Sequence, residues 1–278
     1  MSFAAVGRRL GFAVTPRPWR ADCRTAAMAL AALLAAGGRA AAGTLSLATG
    51  LDVSSGNYGE ATPTTIVSPS LAIRYLERDW AIGGTLPYLE TSGPGNVVPG
   101  LGAAGSAPGG APFVSRAGIG DVVLWARRNV FSLAATGLEI DLKGKIRFGT
   151  ASAAQGLGTG RNDYALSLEA DQPLAAGASL FAGFGRRFPV GTPDFPLHQA
   201  WFGSVGGSLK LAPRWTAGLW LDMQQATATT GGGEAETTLD LTYRVSQAWK
   251  IDAYGVKGFA AGSPAFAGGL ILTWQHKF

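Results

Sequence analysis

The sequence predicts an all-β fold: an antiparallel transmembrane β-barrel of twelve strands, with ten or fourteen also compatible with the spacing of its segments. Three observations carry this. Apolar side chains alternate with small, polar or charged ones through most of 43–278. Glycine is abundant, at 41 of 278 residues, while charged residues make up only 15%. Connections between the alternating segments are by turns long and very short. Glycine at this density disfavours helices, at roughly 1 kcal/mol per residue. A hydrophobic fraction of 47% is too high for a disordered chain.

Residues 1–42 read as a signal peptide with an extended n-region. Arg20 and Arg24 precede an apolar run from Ala26 to Ala36, and Ala40-Ala41-Ala42 supplies small residues for cleavage. A membrane anchor is disfavoured because that run falls short of the roughly 20 residues a helical span needs. Cys23, the single cysteine, lies in this segment, so residues 43–278 contain neither disulfide nor thiol. The segment also carries the excess charge, with six arginines against Asp22. Residues 43–278 hold 17 basic and 17 acidic side chains and are neutral, which gives no support for a nucleic-acid partner.

Strands are expected near 44–54, 64–76, 79–90, 119–128, 137–149, 163–172, 178–188, 199–211, 215–226, 236–246, 249–258 and 265–278. The pattern is clearest where Leu138, Ile140, Leu142, Ile146 and Phe148 alternate with Glu139, Asp141, Lys143, Lys145 and Arg147. Successive strand residues point to opposite faces, so this segment has an oily and a charged face. A soluble twelve-stranded barrel would have to turn the oily face inward. Lipid outside accommodates the same pattern directly, and closure satisfies every backbone polar group.

The charged face then points into the lumen. Asp121, Arg127, Glu139, Asp141, Lys143, Lys145, Arg147, Glu169, Asp222, Asp240 and Arg244 are the expected pore-lining residues. They would select and slow solutes, or else bridge and close the lumen. Opposite charges suggest Arg127 facing Glu139 and Asp121 facing Lys145 across the hairpin of the fourth and fifth strands.

Three tight turns lead straight into Trp80, Trp215 and Trp249. With Tyr75, Tyr243 and Trp274 they form an expected aromatic girdle at one membrane interface. The chain ends in Leu270, Leu272, Trp274, His276 and Phe278 on one parity. Leu270, Leu272, Trp274 and the terminal Phe278 resemble the assembly signal of bacterial outer-membrane barrels, with His276 a departure at the third residue from the end.

The stretch from Arg147 to Glu169, together with Gly118–Arg127 and Gly262-Ser263-Pro264, resembles a family of bacterial outer-membrane transporter-like proteins labelled "putative meta-pathway of phenol degradation". The family's loop more usually begins Pro-Thr-Gly, where this chain has Gly149-Thr150-Ala151. The resemblance implies an outer-membrane channel or porin-like protein for aromatic or other apolar compounds.

Other motifs are weaker. The glycines of Gly156–Gly160 lack the Lys-Ser/Thr of a phosphate loop and read as a surface loop. His198 and His276 have no Gly-x-Ser-x-Gly nucleophile and no carboxylate or cysteine cluster beside them, so neither catalytic nor metal-binding residues are expected. The connection 91–117 reads first as a flexible surface loop and second as a lid over the pore. The resulting expectation is a bacterial outer-membrane barrel that passes small molecules passively, without cofactor or catalysis. Its partners would be outer-membrane lipid, the barrel-assembly machinery and a small solute. A non-conducting structural or surface-interaction barrel is the alternative, with an outer-membrane lipid hydrolase behind it.

Overall fold

The structure is a computed structural model that describes residues 43–103, 111–192, 196–228 and 232–278. The expected signal peptide, 1–42, lies outside the described residues. The strands are β1 (Thr44–Gly56), β2 (Thr64–Leu76), β3 (Trp80–Pro94), the two-residue β4 (Val97–Val98) and β5 (Gly102–Ala103), β6 (Phe113–Ile119), β7 (Val123–Leu133), β8 (Leu138–Arg147), β9 (Asp163–Pro173), β10 (Ala178–Pro189), β11 (Ala200–Ala212), β12 (Trp215–Gln224), β13 (Glu234–Arg244), β14 (Trp249–Gly258) and β15 (Phe266–Lys277).

Consecutive long strands pair antiparallel, and β1 pairs with both β2 and β15, which closes the sheet. β6 and β7 both pair with β3 and are one strand interrupted at 120–122. Counted so, the barrel has twelve strands, as the sequence predicts. Ten residues, as in β12, rise about 33 Å. Tilted by about 40°, they cover about 25 Å, the height of the apolar band of membrane barrels.

Burial is inside out relative to a soluble protein. Leu239 and Leu270 are about 60% exposed on the outer surface. Lys143, Arg147 and Asp222 are each 2% exposed on the inner one. Five tight turns, the first described residue Gly43 and the terminal Phe278 lie at one end of the barrel; six longer connections leave the other.

The backbone pairing of the wall lapses where two prolines meet. The β2–β3 ladder runs in one register from Val67↔Glu90 to Ser70↔Pro87, but the two pairs between them are not bonded. Pro69 and Pro87 have no N–H to give. On the far side of β3 the break at 120–122 is bridged by Gly120 N–H donating to the Pro87 carbonyl (2.8 Å) and Val122 N–H donating to Thr150 Oγ1 (2.9 Å).

Three expectations are corrected. The fourth strand begins at Phe113, because β6 continues the β3 hairpin above the break. Arg127 faces Lys143, Glu139 faces Ser132, and Lys145 faces Trp125. The expected charge pairing fails because β7 and β8 run on to a turn at 134–137, with a bulge at Val130 and Gly137 at φ 74°. Lastly, the connections at 95–103 and 150–160 are not loose surface loops. Val97, Val98 and Leu157 are almost wholly buried, and Tyr58, Ile66, Leu89, Val97, Ala151 and Leu157 form one apolar cluster inside the loop end.

Candidate channel lumen

Strand parity sends alternate side chains of every strand inward. β8 contributes Asp141, Lys143, Lys145 and Arg147, and Lys143 and Arg147 are each set beside a carboxylate of a neighbouring strand. Lys143 Nζ lies 2.5 Å from Glu169 of β9. Arg127 of β7 pairs with Asp141, two residues along from the position directly opposite, so the contact is diagonal. Asn129 Nδ2 donates to the other oxygen of Asp141 (3.2 Å). The facing cations Arg127 and Lys143 are thus each neutralised by a separate carboxylate.

Nearer the loop end, Arg147 pairs with Asp163, which faces it directly, and with Asp121 (3.4 Å). Arg187 of β10 binds the same Asp163 (2.9 Å). Asp121 also accepts the Ala151 N–H (3.0 Å). The cluster therefore fastens the break in the wall and the 150–160 loop, and sequence reading overlooked Asp163 and Arg187. Arg187 Nη1 donates to the Gly100 carbonyl (3.3 Å), so the β4–β5 segment, which leaves β3, reaches the wall four strands further round. Arg116 of β6 fixes the base of that segment through the carbonyls of Gly95 and Val97, both at 2.9 Å. The segment is an insert held across the loop end of the lumen.

Below the insert lies a cavity of about 310 Å³ with charged walls. Arg127, Lys143, Glu169, Asp222 and Asp240 of the expected lining border it, together with Arg74, Asp171, Lys250 and Asp252, which were not singled out. Trp125, Phe181 and Trp220 line it as well. Phe181 and Trp220 meet edge to face at 5.7 Å, and Trp220 Nε1 donates to Asp240 (2.6 Å). Lys250 lies 2.7 Å from Asp252, which also accepts from Thr242 (2.5 Å). Of the remaining expected residues, Glu139 and Arg244 share the inward parity but are exposed at the turn end. The inward parity of Arg74 and Asp252 was available in the sequence, whereas the reach of Gly100 to Arg187 leaves no periodic trace.

Tyr75, Trp80, Trp215, Tyr243, Trp249 and Trp274 all stand on the outer face near the tight turns. Tyr75 and Trp80 are 5.4 Å apart, Trp215 and Tyr243 4.6 Å, and Trp249 faces Trp274 across the ladder. His276 lies between Trp274 (6.0 Å) and Phe278 (4.9 Å). Leu270, Leu272 and Phe278 are exposed on the same face. A second outer patch, unforeseen, sits toward the loop end. There Phe184 stacks on Trp201 at 4.9 Å, and the Arg186 guanidinium lies 4.8 Å from the Trp201 ring.

The chain is similar in structure to solved outer-membrane barrels. The COG4313 outer membrane channel from Pseudomonas putida F1 aligns with a TM-score of 0.66 at 12% identity, over 86% of this chain and 96% of that one. The NanC porin aligns at 0.52 with 7% identity, over 82% and 97%. The KdgM porin, solved in complex with disordered oligogalacturonate, aligns at 0.51 with 8% identity, over 83% and 98%. At such identities the likeness is one of fold. No protein-family profile and no curated protein sequence matches the chain.

The shared fold is that of closed antiparallel barrels with polar interiors. In this chain the interior is crossed by ion pairs at the centre and by the insert at the loop end. Together they narrow the lumen at two levels.

Proposed function

We propose that the chain is a channel of the bacterial outer membrane that lets small molecules pass passively. The observation that carries this is the inside-out burial: an apolar belt outside, and a charged cavity of about 310 Å³ inside. Water-filled lumens with mixed charge select by size and by field. Outer-membrane lipid would meet the apolar belt. The six aromatics at the turn end suit the periplasmic interface, and Phe184 and Trp201 the outer one. Leu270, Leu272, Trp274 and Phe278 would be read by the barrel-assembly machinery. Aromatic or apolar solutes, the class implied by the resemblance to the phenol-degradation family, are supported by Trp125, Phe181 and Trp220 in the cavity wall.

The test is swelling of proteoliposomes carrying refolded 43–278 in isotonic solutions of neutral solutes of graded size. Swelling with the smallest and none with trisaccharides is expected. Barrels that fold but admit no solute of any size would contradict the proposal. They would favour the second reading, a non-conducting structural barrel, for which the buried ion pairs and the insert speak.

A further inference from the structure

Every cation bordering the central cavity but one sits beside a carboxylate: Arg127 with Asp141, Lys143 with Glu169, Lys250 with Asp252. Arg74 of β2 is the exception. Among the described residues its guanidinium makes no hydrogen bond or ion pair, and the charge it feels most is another cation, Arg127. A half-buried guanidinium without a counterion, facing a cavity, is a ready acceptor for an anion.

The surroundings fit that role. Arg74 faces Ser46 across the β1–β2 ladder, and Lys250 faces Thr273 across the β14–β15 ladder. Arg74, Ser46, Lys250 and Thr273 line a small cavity of about 40 Å³. Ser46 is 5% exposed, and its hydroxyl is buried without a partner. This space exceeds the roughly 10–15 Å³ that a single water needs. It suits a compact anionic head. Arg74 also borders the larger cavity, where Trp125, Phe181 and Trp220 stand. Gly83 faces Arg74 on one side and Trp125 on the other. A Cβ at Gly83 would come within 2.6 Å of the Trp125 indole, so only glycine lets the ring lie over β3 beside Arg74. Asp171 and Asp222 border the same cavity from β9 and β12, across the lumen from β2, and repel an anion toward Arg74.

We propose that Arg74, with Ser46 and Lys250, forms an anion subsite, and that the solute it selects is a single-ring aromatic monocarboxylate whose ring lies against Trp125, Phe181 and Trp220. The proposal rests on the channel reading for the route by which the solute arrives. Calorimetric titration of the folded, detergent-held barrel tests it, with benzoate, acetate and benzyl alcohol as probes. Benzoate should bind at least tenfold more tightly than either of the others, since each lacks the ring or the charge. Arg74→Gln should weaken benzoate at least tenfold, Arg74→Lys should restore part of the loss, and Ser46→Ala, a mild change in a buried position, should weaken it severalfold.

The proposal is overturned if folded wild-type protein binds no benzoate, if acetate or benzyl alcohol binds as tightly, or if Arg74→Gln binds benzoate unchanged. Should Arg74→Gln not fold, Ser46→Ala decides, and unchanged binding there counts against the subsite. Calorimetry reads the site, while swelling reads passage. Benzoate bound through Arg74 in a barrel that passes nothing would keep the subsite and remove the channel. Passage without benzoate binding would do the reverse.

Discussion

Lys143 and Lys250 both pair with carboxylates, but in different surroundings. The Lys143 side chain is 2% exposed and that of Glu169 11%; the Lys250 side chain is 34% exposed and that of Asp252 9%. Removing one partner of a buried pair strands a charge and costs about 3–5 kcal/mol, whereas an exposed pair contributes about 0–1 kcal/mol. Lys143→Met should therefore destabilise the barrel by about 3 kcal/mol or more in urea unfolding from lipid vesicles. Lys143→Met with Glu169→Leu should recover most of that. Lys250→Met should cost less than Lys143→Met, because the Lys250 head is part-solvated and Asp252 keeps the Thr242 hydrogen bond. Equal losses for Lys143→Met and Lys250→Met would mean the lumen is as wet at β8 as at β14. At Gly83 the argument is steric. Gly83→Leu would displace Trp125 and cost about 1–3 kcal/mol by overpacking, measurable by the same unfolding.

Strands were legible because a half-lipid, half-lumen wall forces a period of two on the sequence. Twelve segments found by that period match twelve barrel positions. The alternation fails where function or closure departs from the wall. β4 and β5 are two residues each, too short to show a period, and lie in a stretch of glycine, alanine and proline. The β7–β8 register was misjudged because a bulge at Val130 adds a residue to one strand, and because long side chains pair diagonally rather than straight across. Charged parity found the β8 row but missed Arg74 and Arg187, each the only charged inward residue of its strand.

Deleting 96–103 removes Val97, Val98 and Leu101 from the loop end and frees Arg187 from Gly100. Swelling with small sugars should then speed up severalfold. An unchanged rate would mean that the insert does not limit passage. Amides flanking Pro69 and Pro87 should also exchange faster than those at the centre of the β12–β13 ladder, as measured by hydrogen exchange in lipid, because the β2–β3 pairing lapses there.

Taken whole, residues 43–278 are neutral, with 17 bases and 17 acids, and most lumen charges sit in pairs. A neutral, cross-linked lumen gives a narrow path with little net field. Reversal potentials in a salt gradient should therefore lie close to zero, shifted only slightly toward anions by Arg74, and a strong preference for either sign of ion would contradict the paired arrangement.

The central claim is that a constricted, water-holding path runs through a lipid-embedded barrel. Conductance of refolded 43–278 in a planar lipid bilayer, recorded beside the variant lacking 96–103, tests it most directly. The account predicts small discrete steps for the intact chain and larger ones for the deletion. A barrel that is folded and inserted, yet silent in both forms, would contradict it.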